Sequence, residues 1–129
     1  MNTLLVLLIL LLITHWLADY THLSTKWMLS AKASGGPLLP ILAHAAVHAL
    51  LVLAVLLAFV EPQKALDLAL LQLGTHFFID VWKGKMSDWF PPVQNPCNRS
   101  YWYVFGFDQL LHQLVLVVIS AAAFPPGPL

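Results

Sequence analysis

Four long apolar stretches divide the chain: Thr3–Tyr20, Leu38–Val60, Ala65–Trp82 and Phe105–Phe124. Each is near the length a helix needs to cross about 30 Å of hydrocarbon. They predict transmembrane helices over about 3–23, 38–60, 64–82 and 104–124 within one domain, residues 1–129. Ser34-Gly35-Gly36-Pro37 closes the first connection, and Glu61-Pro62 makes a tight second one. The third connection, Lys83 to Val104, is rich in aromatics and holds Pro91-Pro92 and Asn95-Pro96, as expected of a loop lying on the membrane interface. Pro125-Pro126-Gly127-Pro128 stops the last helix. The first stretch has no Lys or Arg before it and no small-residue cleavage site after it, and reads as a retained helix.

Composition fits the bilayer as solvent. The chain is 60% hydrophobic and 9% charged, against about 45–50% and about 25% in soluble domains. So little charge cannot cover a water-facing surface, and so much apolar content excludes disorder. Six basic residues balance six acidic ones, which leaves no footprint for nucleic acid. A single cysteine, Cys97, excludes an intramolecular disulfide and a cysteine-based zinc cluster.

Lys26 and Lys32 lie in the first connection, and Lys83, Lys85 and Arg99 in the third. The positive-inside rule then puts both connections in the cytoplasm and both termini outside. All five tryptophans and all three tyrosines fall toward the cytoplasmic end, which marks it as the working face.

The candidate chemistry sits inside the spans. They carry His15-x-x-x-Asp19, His44-x-x-x-His48, His76-x-x-x-Asp80 and Asp108-x-x-x-His112. Each spacing puts two side chains on one helix face, a turn apart. A charged aspartate at span depth costs at least about 2.5–3.5 kcal/mol. The spans offer no Lys or Arg in their cores to offset three of them. Two divalent transition-metal ions, zinc, iron or manganese, are the expected counter-charge, with all eight residues as ligands. Asp19, Asp80 and Asp108 are also the candidates for a catalytic base. His15, His48, His76 and His112 are expected to form a deeper layer, and Asp19, His44, Asp80 and Asp108 a shallower one about one turn away. If helix tilt mixes the layers, the same eight groups could serve two ions about 3.5–4 Å apart, bridged by carboxylate or water.

The pattern repeats. Thr14-His15-Trp16 to Asp19 parallels Thr75-His76-Phe77 to Asp80, and His44 to His48 parallels Asp108 to His112. The expected fold is therefore all-α: an integral membrane four-helix bundle made of two repeated hairpins, related by a pseudo-twofold axis along the membrane normal.

Other positions have simpler readings. His22 is expected at the surface, and Thr14 and Thr75 bonded to their own helices. Gly74 and Gly106 are expected to mark close helix packing. Gln72, Gln109 and Gln113 are candidate supports for imidazole nitrogens. Asp88, Cys97 and Arg99 are expected in a solvated loop, with Arg99 the one candidate contact for a substrate anion.

Together these elements resemble a family of small bacterial inner-membrane proteins known as a domain of unknown function, over roughly Leu4 to Ile119. More loosely, the pattern is similar to predicted membrane-bound metal-dependent hydrolases. That likeness is one of ligand type only. The first resemblance implies a multi-pass bacterial inner-membrane protein. Two ions activating a bridging water near the cytoplasmic face lead us to expect a hydrolase of a membrane-associated ester or phosphoester, its partners the lipid bilayer and a lipid-like or anionic substrate. A di-iron or di-manganese redox protein, and a metal-binding accessory subunit of a larger membrane complex, are the alternatives. A homo-oligomer stays open. A through-channel is not expected, because only Leu, Ile, Val and Ala lie beyond His15 and His48 toward the outer side.

Overall fold

The computed structural model describes residues 2–124. Among them it has five α-helices and no strand: α1 (Thr3–Tyr20), α2 (Lys26–Ser34), α3 (Leu38–Leu56), α4 (Pro62–Trp89) and α5 (Arg99–Ala123), with a 3-10 turn at Pro91–Gln94 before α5. Each of α1, α3 and α5 is long and apolar enough to cross a membrane. At 28 residues α4 is the longest, reaching about 42 Å at 1.5 Å per residue. It is the most polar of the four long helices, since Lys64, Asp67, Gln72, His76, Asp80, Lys83, Lys85 and Asp88 all lie along it. The proposed stop for the last helix, Pro125 to Pro128, lies outside the described residues.

The helix boundaries differ from expectation: α1 ends at Tyr20 rather than 23, α3 at Leu56 rather than 60, and α5 begins at Arg99 rather than 104. Two differences have clear local reasons. The third predicted span continues past Trp82 to Trp89, where Phe90 leaves helical geometry ahead of Pro91-Pro92. The first connection is itself helical. Thr25 caps α2 through its hydroxyl, which accepts from the Met28 amide at 3.4 Å. Gly35 ends it in the left-handed region at φ 71°, where a residue with a β-carbon is disfavoured.

The four long helices pack as neighbours in the order α1–α3–α4–α5 and back to α1, while α2 lies against α3 and α4. Their buried positions form stripes at helical spacing: Leu7, Leu11, His15 and Ala18 on α1; Ile41, His44, Ala45, His48, Val52 and Leu56 on α3. The interior has two ends. One is an apolar cluster that includes Leu7, Leu11, Val52, Leu56, Leu116 and Ile119. The other continues the same stripes with histidine and aspartate. Outward faces carry Leu5, Ile13, Leu50, Leu114 and Val118, all exposed. That inversion of the soluble pattern is what a hydrocarbon solvent favours.

Gly74 and Gly106 do not mark close packing. A β-carbon on either would meet nothing within 4 Å. The close approach is between Gly84 of α4 and Gly35 at the end of α2, where an added β-carbon on Gly84 would lie 2.2 Å from the Gly35 nitrogen. Two glycines therefore let α2 lie backbone to backbone against α4.

Candidate metal centre

All eight paired residues converge at the polar end of the interior. On α1, His15 Nε2 is 3.3 Å from Asp19 Oδ2; on α4, His76 Nε2 is 3.3 Å from Asp80 Oδ2. The partner helices complete each half alike. His48 Nε2 reaches Asp19 Oδ1 at 3.3 Å, and His112 Nε2 reaches Asp80 Oδ1 at 3.4 Å. His44 Nε2 lies 3.0 Å from Asp19 Oδ1, and Asp108 Oδ1 lies 3.4 Å from His112 Nε2.

The four histidines expected in the deeper layer do gather. The His48 and His76 rings stack with centroids 3.7 Å apart, the His76 and His112 rings are 4.1 Å apart, and His15 stands 5.0 Å from His48. The layers mix, because Asp19 and Asp80 reach back to histidines of the other layer. Two groups of ligand atoms, each within 4.8 Å of one another, have a spacing that suits a metal ion: Asp19, His44, His48 and His76; and His76, Asp80 and His112. They share His76. His15 and Asp108 stand beside these groups rather than in them.

The expectation that no basic side chain reaches these carboxylates is wrong. Lys32, on the inserted helix α2, places Nζ 3.2 Å from Asp19 Oδ1, 3.4 Å from Asp80 Oδ2 and 3.0 Å from His44 Nε2. Its side chain is only 13% exposed. Burial alone would lower its pKa, but the Asp80 and Asp19 carboxylates outweigh burial and hold it above the ordinary lysine value. The error has a physical origin. In sequence Lys32 counts as an interfacial charge, because a nine-residue helix cannot span, yet α2 tucks back between α3 and α4 and carries the ammonium inward.

Hydrogen bonding divides the cluster. Asp19 Oδ1 is hydrogen-bonded to Lys32, His44 and His48. In contrast, His76 Nε2, both Asp80 oxygens, Asp108 Oδ1 and His112 Nε2 are buried without a hydrogen-bond partner. They approach each other at 3.3–3.4 Å without the alignment a hydrogen bond needs. Buried groups of this kind are costly unless something satisfies them. Both His15 ring nitrogens share that condition.

Supporting groups are mixed. Gln72 Nε2 lies 3.3 Å from His76 Nδ1, and its own Oε1 has no partner. The same amide turned over would accept from Nδ1–H and leave the Nε2 lone pair toward the carboxylates. Gln109 Nε2 donates to Asp108 Oδ2 at 3.0 Å. Gln113 is exposed and faces away. Thr14 and Thr75 donate to the Leu11 and Leu71 carbonyls of their own helices. His22, Asp88, Cys97 and Arg99 are all exposed.

A cavity of about 190 Å³ borders the centre, lined in part by Asp19, Tyr20, Lys32, Lys83, Asp108 and Gln109. A second, of about 410 Å³, shares the lining residues Ala33, Lys83 and Phe105 with it. A groove of about 630 Å³ runs along apolar faces of α4 and α5 and touches none of the eight residues.

A family model described as "Protein of unknown function (DUF3307)" matches residues 7–128. The chain belongs to that family. The resemblance to a domain of unknown function is thereby borne out, while the looser likeness to hydrolases gains nothing from it. No curated protein and no solved structure matches the chain. All eight residues, and Lys32, fall inside the segment matched by the DUF3307 model.

Proposed function

We propose that this DUF3307 protein is a membrane-embedded metalloprotein that hydrolyses an ester or phosphoester of a membrane-associated, anionic substrate. The observation that carries the metal reading is the set of buried, unpartnered ligand atoms on His76, Asp80, Asp108 and His112. Two imidazoles and a carboxylate make a ligand set that catalytic zinc sites use. A divalent ion held there would lower the pKa of a bound water and polarise the ester oxygen.

The chain's own groups supply the rest. Asp108 lines the cavity and touches His112, so it is placed to take the proton of the attacking water and return it to the departing alcohol. Lys32, Lys83 and Tyr20 offer donors to an anionic head group in the same cavity. Asp80, fully buried, acts as ligand rather than base.

The wider architecture belongs to the same reading. We take α4 as a fourth span, and the molecule as a four-helix bundle of two repeated hairpins, α1 with α3 and α4 with α5. The matched His–Asp distances in the two halves support that repeat. The basic residues favour a bacterial inner-membrane protein with its cavity toward the cytoplasm and both termini outside.

A redox role with iron is the second reading, favoured by the same His76–Asp80–His112 set, which suits ferrous iron with open positions. Elemental analysis and an optical spectrum on detergent-purified, chelator-free protein separate the two. Zinc or manganese with a featureless visible spectrum, followed by metal-dependent turnover of a lipid phosphoester, is the expected result. Iron with a visible band moves the function to redox chemistry. Protein without bound metal ends both.

A further inference from the structure

Resting on the metal reading above, we propose that Lys32 stands in for a second metal ion. The centre then binds one divalent ion, at His76, Asp80 and His112 with Asp108 beside them, in place of the paired ions that the sequence suggests.

The two ligand groups are not equivalent. In the first, Asp19 Oδ1 already has the Lys32 ammonium at 3.2 Å, with His44 and His48 Nε2 at 3.0 and 3.3 Å around the same oxygen. An ion entering there would have to displace the ammonium from the same carboxylate oxygen. In the second group no ligand atom has a hydrogen-bond partner, only Asp80 Oδ2 has the Lys32 ammonium nearby, at 3.4 Å, and the residues are 0–3% exposed. Solvent therefore cannot satisfy them, and a cation can.

The charges agree. Three carboxylates, Asp19, Asp80 and Asp108, are opposed by one ammonium, so two negative charges remain, and one divalent ion cancels them. A second would leave two positive charges in a low-dielectric interior, which is costly. Lys83 does not alter the count at the centre. It is half-buried over the Phe105 ring, 6.0 Å from its centroid, and forms no ion pair among the described residues.

The asymmetry has a simple origin in the chain. Only the first hairpin carries a short helix that delivers a lysine, and the Gly35–Gly84 contact is what seats it. A tethered ammonium in one half and an exchangeable ion in the other would make a single metal centre from a doubled set of ligands.

The experiment is metal content per chain, by elemental analysis after saturation with zinc and removal of excess, for the full chain and two variants. The expected results are one zinc for the native protein, two for Lys32→Met and one for Asp19→Asn. Two zinc ions in the native protein overturn this proposal and leave the metal reading standing. Loss of the ion in Asp19→Asn overturns it too, because it places the ion in the first group. A single ion in a folded Lys32→Met protein also overturns it, and if that variant does not fold, the Asp19→Asn result decides. Zinc absent throughout removes the metal reading itself.

Discussion

A β-carbon added to Gly84 would lie 2.2 Å from the backbone nitrogen of Gly35 and 2.5 Å from its Cα. Neither distance is tolerable, and the opposing atoms are backbone, so they cannot rotate away. Gly84→Ala is therefore expected to lift α2 off α4 and draw Lys32 back from Asp80. Overpacking of this kind costs about 1–3 kcal/mol. Thermal unfolding in detergent is the check; Gly74→Ala, where nothing lies within 4 Å, is the control. Equal melting temperatures for the two would mean that the α2–α4 seam is not tight.

The Lys32–Asp80 pair makes a second prediction. With one side chain 13% and the other 0% exposed, removing either partner leaves a buried charge short of its counter-charge. Lys32→Met and Asp80→Asn are each expected to destabilise the metal-free protein, by about 3 kcal/mol or less, since Asp19 shares the ammonium. The double variant should lose less than the sum, by about 0.5–3 kcal/mol of coupling. Strict additivity in a double-mutant cycle would deny the contact.

Much of this centre was readable from the chain. Four i, i+4 pairs lie on the stripe that packing must bury, so converging helices had to bring the eight groups together. Lys32 was not readable by charge counting, because hydropathy treats every connection as solvent. The cue was local instead: Thr25 and Gly35 cap a nine-residue helix at both ends, with Met28 and Ala31 buried along it. Those caps identify a folded element, but only the Gly84 approach, a contact 49 positions away in sequence (84 − 35), shows that it turns inward. Gly74 was misjudged for the same reason, since a small residue signals room, and its neighbours decide whether anything uses it.

Gln72 provides a third prediction. It is 1% exposed and its amide is the polar neighbour of His76 Nδ1. By orienting that ring it sets which nitrogen faces the carboxylates. Gln72→Leu keeps the volume and removes the hydrogen bond, and is expected to weaken metal binding by roughly 10–100-fold. Competition titration against a zinc indicator measures it. An unchanged affinity would show that His76 is held by packing alone.

Lys83 gives the fourth. It lines both polar cavities, half-buried and without an ion-pair partner among the described residues. Both Lys83 and Lys32 line the cavity beside the centre, but the Lys32 charge is already shared by two carboxylates, so an incoming anion is expected to pair with Lys83. Lys83 touches no ligand atom, so its loss should leave metal content and melting temperature unchanged. For a lipid phosphoester, Lys83→Ala is expected to raise KM about tenfold with little change in kcat, as loss of one charge-assisted hydrogen bond worth about 1.5 kcal/mol would do. Lys83→Arg should recover most of it, whereas an uncharged ester should be indifferent to both variants. A drop in kcat at constant KM would instead assign Lys83 to the chemical step and move the substrate's anionic group closer to the metal.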